Sequence, residues 1–203
     1  MSTAKMPKKV FENNHRVLIA EDHAATRKCL KDQLESIGFD VVAAAATGEE
    51  AITLYKELKP DLVVMDIKMP KVDGIQAAKA ITSERPVPII LITGHSTKTL
   101  VDKAIESGVF SYLMKPVAKK ELLPAIKLAV ARYSEFQALK TEVRDLKEAI
   151  ETRKLVERAK GILMKRMNIH EDDAFKLLQT QSQKENKKLK EIAEMVVTAS
   201  KLI

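Results

Sequence analysis

The first 120 residues alternate short, nearly unbroken apolar runs with longer stretches that are apolar on one side only. Arg16-Val-Leu-Ile-Ala20, Asp40-Val-Val-Ala-Ala44, Leu62-Val-Val-Met-Asp66, Pro88-Ile-Ile-Leu-Ile-Thr93 and Val109 to Met114 read as five strands. Apolar on both faces, such strands belong in a parallel sheet covered by helices on each side. Helices are predicted over 24–37, 47–58, 75–83 and 97–107, and again from Lys119. Gly38 and Gly108 stop two of them, and Thr47 with Glu50 three residues on forms a start signal. With right-handed crossovers the pattern predicts a doubly wound α/β domain with a five-stranded parallel sheet over residues 15–130.

After Leu122 the strand signal stops. Phe136, Leu139, Val143, Leu146 and Ile150 follow 3-4-3-4 spacing among charged residues, which is a short coiled-coil seam on a linker helix over 131–152. Arg153 breaks the seam, and apolar positions resume out of phase at Leu155, Val156, Ala159, Ile162, Leu163 and Met167. Breaks near Asn168-Ile-His170 and Lys184-Glu-Asn186 divide the rest into a small three-helix domain over 153–203. Ala159, Gly161, Ala174 and Ala193 are the small residues that would let its helices pack closely, with Phe175, Leu178 and Leu189 filling the middle. Gly161 inside a helix costs about 1 kcal/mol against alanine, so either a neighbour comes near or something binds there.

Hydrophobic residues at 45% and charged residues at 31% provide for a core and argue against wholesale disorder. No apolar run approaches the length of a membrane span. The first 14 residues read as a disordered basic tail without the apolar stretch of a secretory signal. Cys29 is the only cysteine, so no intrachain disulfide can form, and the cytosol is the expected compartment. Cys29 is expected to fill core. The net charge of +7 concentrates in the tail and in residues 151–190, which hold eleven Lys/Arg against six Asp/Glu. A basic C-terminal module points to a polyanionic partner or to a solvated helical surface.

Strand topology places the chemistry. Glu21 and Asp22 follow the first strand, Asp66 ends the third, Thr93 ends the fourth and Lys115 follows the fifth. Ligands of such sheets bind at the carboxyl ends of the strands, so three carboxylates, a hydroxyl and an ammonium meet there. Clustered carboxylates repel one another and call for a cation. Mg²⁺ fits, because it takes few carboxylates and leaves positions for phosphate oxygens. Asp66 is then the in-line nucleophile toward a phosphoryl group, with Lys115 stabilising the transferring charge. No Gly-rich turn follows the first strand and no Gly-x-x-x-x-Gly-Lys loop exists, which argues against nucleotide binding. Lys68 stands where a haloacid-type phosphatase would carry a second aspartate.

Glu21-Asp22, Asp66 within Met65-Asp-Ile-Lys-Met-Pro70, Asp73-Gly74, Thr93-Gly94 and Lys115-Pro116 resemble the receiver domain of two-component response regulators, a flavodoxin-like fold. The resemblance implies that Asp66 accepts a phosphoryl group from a histidine kinase. It implies Mg²⁺ on Asp22, Asp66 and the Lys68 carbonyl, with Glu21 acting through water. It gives Thr93 and Lys115 the phosphoryl oxygens, makes Tyr112 the aromatic that swings inward as Thr93 moves, and makes the Lys115-Pro116 bond cis. His23 and His95 are expected to be solvated loop residues near this site.

Ala159-Lys-Gly-Ile-Leu-Met164, Ala174-Phe175 and Lys188-Leu189 with Ala193 resemble the ANTAR domain, an RNA-binding antitermination module. Gln179 and Gln183 depart from that family's usual residues. The resemblance implies binding to RNA stem-loops. Lys160, Lys165, Arg166, Lys187 and Lys188 are the candidate phosphate contacts. With Phe175 the only aromatic in the module, shape and phosphate contacts should dominate recognition. The reading as a whole is a non-enzymatic regulator that dimerises through the seam when phosphorylated. A DNA-binding or a protein-interaction output is the alternative.

Overall fold

The structure, a computed structural model, describes residues 15–94 and 107–200. The expected tail over 1–14, the helix over 97–107 and His95 lie outside the described residues. In chain order the elements are β1 (Arg16–Ala20), α1 (Ala24–Glu35), β2 (Asp40–Ala45), α2 (Gly48–Leu58), β3 (Leu62–Asp66), α3 (Gly74–Glu84), β4 (Ile89–Thr93), β5 (Ser111–Met114), α4 (Lys119–Met167), α5 (Glu171–Glu185) and α6 (Leu189–Ala199). Two compact units divide the chain near residue 136.

In the first unit the sheet is parallel throughout, in the order β2-β1-β3-β4-β5. β3 and β4 are buried at every position, as their apolar runs require. One face of the sheet packs Leu18, Val63, Met65 and Leu91 against Ala51, Tyr55, Ala77 and Ile81 of α2 and α3. The other packs Val17, Ile19, Val64, Ile90 and Ile92 against Leu30 and Leu34 of α1 and against Leu122, Ile126 and Ala129 of α4. β4 begins one residue later than expected because Pro88 has no N–H to give the ladder, although its carbonyl still accepts from Val63 at 3.0 Å. β5 is shorter than expected and alternates in burial, since an edge strand is covered on fewer sides.

The chain reverses direction across β1, whose neighbours are β2 and β3. This opens a crevice at the carboxyl ends of β1 and β3. Local signals fix the helices that frame it. Thr47 caps α2 by accepting from Glu50 N–H at 3.2 Å, and the Glu50 carboxylate accepts from Ala46 N–H at 2.7 Å. That reciprocal pair is the capping box expected from the sequence. Asp73 caps α3 through Gln76 N–H at 2.7 Å.

The second unit is formed by the remainder of α4 with α5 and α6. Val156, Ala159, Leu178, Ile192, Ala193 and Val197 make its core, with Phe175 and Leu189 partly buried against them. Ala174 is buried as well, so three of the four small residues pack closely as expected. Gly161 is the exception and lies exposed. Asn168 and Asn186 end α4 and α5 in the left-handed region, each at φ 52°, which asparagine tolerates better than most residues. Between Lys140 and Glu151 every residue of α4 is exposed, including Val143, Leu146 and Ile150 of the expected seam.

Candidate functional site

Each strand end delivers its side chain as the topology requires. Lys115 Nζ lies 2.6 Å from Asp66 Oδ2 and 2.7 Å from Glu21 Oε2. Carboxylate oxygens of Glu21, Asp22 and Asp66 lie within 4.8 Å of one another. Glu21 is 1% exposed and Asp66 is 5% exposed, whereas Asp22 faces solvent. Burial pulls the Lys115 pKa down, but hydrogen bonds and charge from Asp66 and Glu21 outweigh it and leave the ammonium raised above its ordinary value. The lysine is therefore held as a cation between two buried carboxyl groups.

The backbone around the cluster is held tightly. Lys115 N–H donates to the Thr93 carbonyl at 2.8 Å, which ties the ends of β4 and β5, and Thr93 is buried. Arg27 of α1 donates to the carbonyls of Glu21 at 2.6 Å and Asp22 at 3.2 Å, clamping the acidic turn after β1. Gly74 N–H donates to the Ile67 carbonyl at 2.8 Å, and a Cβ at Gly74 would fall 2.1 Å from the Asp66 carbonyl oxygen. Only glycine lets α3 start this close to the strand end, which gives Asp73-Gly74 its structural reason. The Lys115-Pro116 bond is cis, as the resemblance implied.

Other expected residues sit less centrally. The Lys68 side chain is exposed in the loop after β3. Tyr112 is 46% exposed on the edge strand, pointing away from the core instead of into it. His23 precedes α1; its backbone N–H donates to Glu21 Oε1 at 3.4 Å, while its ring Nδ1 lies 3.2 Å from Thr26 Oγ1. Cys29 is exposed, contrary to the expected core role, and lines a groove of about 580 Å³ with Glu21, Gln33, Lys115 and Val117. It falls one position off the Leu30–Leu34 stripe that α1 buries. Arg27 was not singled out in the sequence, because a clamp on main-chain carbonyls leaves no side-chain pattern.

The donor set suits a hard cation. Three carboxylates and one ammonium leave net negative charge, all the candidate ligands are oxygens, and receiver domains generally hold Mg²⁺ at such a pocket.

The profile of the response regulator receiver domain matches residues 17–127, and that of the ANTAR domain matches residues 144–197. The chain belongs to the response-regulator family. It is 47% identical over 182 residues to the transcriptional regulatory protein PdtaR of Mycobacterium tuberculosis, covering 90% of this chain and 89% of that protein. Identity to the chemotaxis protein CheY of Bacillus subtilis is 42% over 113 residues, 55% of this chain and 94% of CheY. Among solved structures, the receiver domain of the response regulator NarL from Mycobacterium tuberculosis aligns with a TM-score of 0.56 at 30% identity, covering 59% of this chain and 98% of that one. No helix among the described residues is long and apolar enough to cross a membrane.

In the ANTAR part of this response regulator the expected basic contacts divide. Lys160 is 7% exposed. Its Nζ lies 2.9 Å from Glu157 and 2.5 Å from Glu171, and 6.0 Å from the centre of the Phe175 ring. Its hydrogen bond to Glu157, then that to Glu171, hold its pKa above the ordinary lysine value, and Lys160 in turn lowers that of Glu171. Lys160 thus joins α4 to the first turn of α5 and is not a free phosphate contact. The residue label signalled a cation, and its partners at i−3 and across the next turn neutralise it. Lys187 is paired with Glu185 at 2.7 Å, and Arg166 donates to the Ser200 carbonyl at 3.4 Å. Lys188 caps α6, its N–H donating to the Glu191 carboxylate at 3.2 Å. Lys165 is exposed.

Proposed function

We propose that Asp66 accepts a phosphoryl group from a histidine kinase and that the acylphosphate shifts the chain toward an RNA-binding dimer that causes transcription antitermination in the cytosol. The observation that carries the first half is Lys115 held between Glu21 and Asp66 in a buried carboxylate cluster, ahead of an ANTAR domain. Asp22, Asp66 and the Lys68 carbonyl would hold Mg²⁺, with Glu21 acting through water, and the ion would neutralise phosphoryl oxygens when bound. A carboxylate oxygen of Asp66 attacks phosphorus in line. The P–N bond to the kinase histidine breaks, and its electron pair returns to the imidazole. Lys115 exchanges a carboxylate partner for a phosphoryl oxygen, and the Thr93 hydroxyl donates to another, with Tyr112 turning inward behind it. On this reading the chain performs only this transfer to Asp66 and the later hydrolysis of the acylphosphate by water, which releases phosphate and restores the carboxylate, so it is a regulator and not an enzyme for an outside substrate.

Dimerisation rests on the exposed stripe Leu139, Val143, Leu146 and Ile150. Phe136, expected to open the seam, is also exposed, and its ring meets Phe110 edge-on at 6.1 Å between centroids. Val143 and Ile150 occupy a positions and Leu139 and Leu146 occupy d positions, the arrangement that favours two parallel strands. Glu142 then falls at g and Lys140 and Lys147 at e. A parallel pair sets Glu142 against Lys147 of the other copy, while an antiparallel pair sets like charges together. Two heptads are too few for a strong dimer alone, which leaves the association open to control by the receiver.

The test is binding of the full chain to a double stem-loop RNA and to duplex DNA of equal length, with and without Mg²⁺ and a small acylphosphate donor. Tighter RNA binding after phosphorylation is expected, and Asp66→Ala should neither take up phosphoryl nor respond. Preference for DNA would indicate a DNA-binding output, and no binding to either a protein partner. Persistent labelling of Asp66→Ala would place the acceptor elsewhere.

A further inference from the structure

Gly161 lies inside α4, where glycine weakens a helix relative to alanine. Glycine is kept in such places when another backbone must come close. Among the described residues nothing does so: a Cβ built at Gly161 meets none of their atoms within 4 Å. Gly161 is on the side of α4 opposite Val156 and Ala159, which are buried in the core of the second unit.

The same exposed face carries Lys154, Arg158 and Lys165, at 4-3-4 spacing through Gly161. Lys154 pairs with Glu151 at 3.2 Å. Among the described residues neither Arg158 nor Lys165 has an ion-pair partner. Lys154 and Arg158, four apart, repel each other mildly. One helix face thus combines a helix-weakening residue with a row of like charges, of which Lys154 is paired while, among the described residues, Arg158 and Lys165 are not. Such violations of local preference are expected where function sets the residue.

We infer that Gly161, Arg158 and Lys165 form a seat for an RNA phosphate backbone. The missing side chain lets the strand reach the helix backbone, and Arg158 and Lys165 neutralise phosphates on either side. The inference rests on the RNA-binding reading of the ANTAR domain and names the surface that reading needs, with Arg158 in the place that Lys160 does not fill. A second copy of the chain suits this face poorly, because a symmetric contact would bring two such cationic rows together.

The test uses Gly161→Ala in the full chain. Because the new methyl meets open space, the melting temperature of the second unit should rise, by about 4–8 °C for a domain of this size. Affinity for the double stem-loop RNA should fall at least tenfold with the oligomeric state unchanged. Arg158→Gln should lower the slope of log affinity against log salt by about 0.7–0.9. A wild-type chain that binds no RNA defeats the RNA reading and the seat with it. A wild type that binds and a Gly161→Ala variant that matches it defeat the seat alone. Loss of RNA binding only in step with loss of the dimer assigns the face to a second copy, and a lower melting temperature assigns the glycine to the fold. Either result overturns the inference.

Discussion

Replacing Lys115 with methionine removes the cation that, among the described residues, touches both Glu21 and Asp66, at 2.7 Å and 2.6 Å, and leaves two buried carboxylates facing each other. Removing one partner of a buried pair costs about 3–5 kcal/mol. The ammonium is still about a quarter exposed, so solvent screens part of the interaction and about 2 kcal/mol is the better figure. That is roughly a thirtyfold change in the folding equilibrium at neutral pH. Mg²⁺ should restore more stability to the variant than it adds to the wild type; saturation at a hundredfold its Kd is worth about 2.7 kcal/mol. Urea unfolding of both proteins at pH 8, with and without Mg²⁺, measures each quantity. A loss below about 0.5 kcal/mol at pH 8, or a variant indifferent to Mg²⁺, would refute the picture of a carboxylate cluster that needs a cation.

The raised pKa of Lys115 gives a linked expectation at high pH. Its contribution to stability is complete below about 10.4, the value of an unfolded-chain lysine, and is lost as pH rises through the higher folded value, so wild type and Lys115→Met should converge in alkaline unfolding. Gly74→Ala should destabilise the receiver by about 2 kcal/mol or more in urea titration, since its Cβ would fall 2.1 Å from the Asp66 carbonyl oxygen. Thr47→Ala should cost about 1 kcal/mol through loss of the α2 cap, with phosphoryl uptake unchanged. Lys160→Met should leave the salt dependence of RNA binding intact, because Lys160 already serves Glu157 and Glu171; a slope lowered by about 0.7–0.9 would restore it as a phosphate contact.

The strands and the acidic site were legible for the same reason. Parallel strands buried on both faces show as unbroken apolar runs, and the residue after each run marks a position on one sheet edge. That is enough to bring Glu21, Asp66 and Lys115 together without any knowledge of distance. What the sequence could not show is how a charged or half-apolar side chain is spent. Lys160 reads as a surface cation until Glu171 of the next helix is seen beside it. Cys29 looks like a core candidate, yet it lies a position off the buried stripe of α1. Gly161 could be flagged as anomalous from sequence, while the open space beside it required coordinates.

The single, exposed thiol of Cys29 has a practical corollary. It lines the groove that also contains Glu21 and Lys115, so one maleimide-linked dye would sit beside the acidic cluster without any engineered cysteine. The same thiol can couple two chains in air, producing a covalent pair that gel filtration would not distinguish from one assembled through the helix seam. Oligomer measurements on this protein therefore belong in reductant, or on Cys29→Ser, before any dimer is credited to the phosphoryl group.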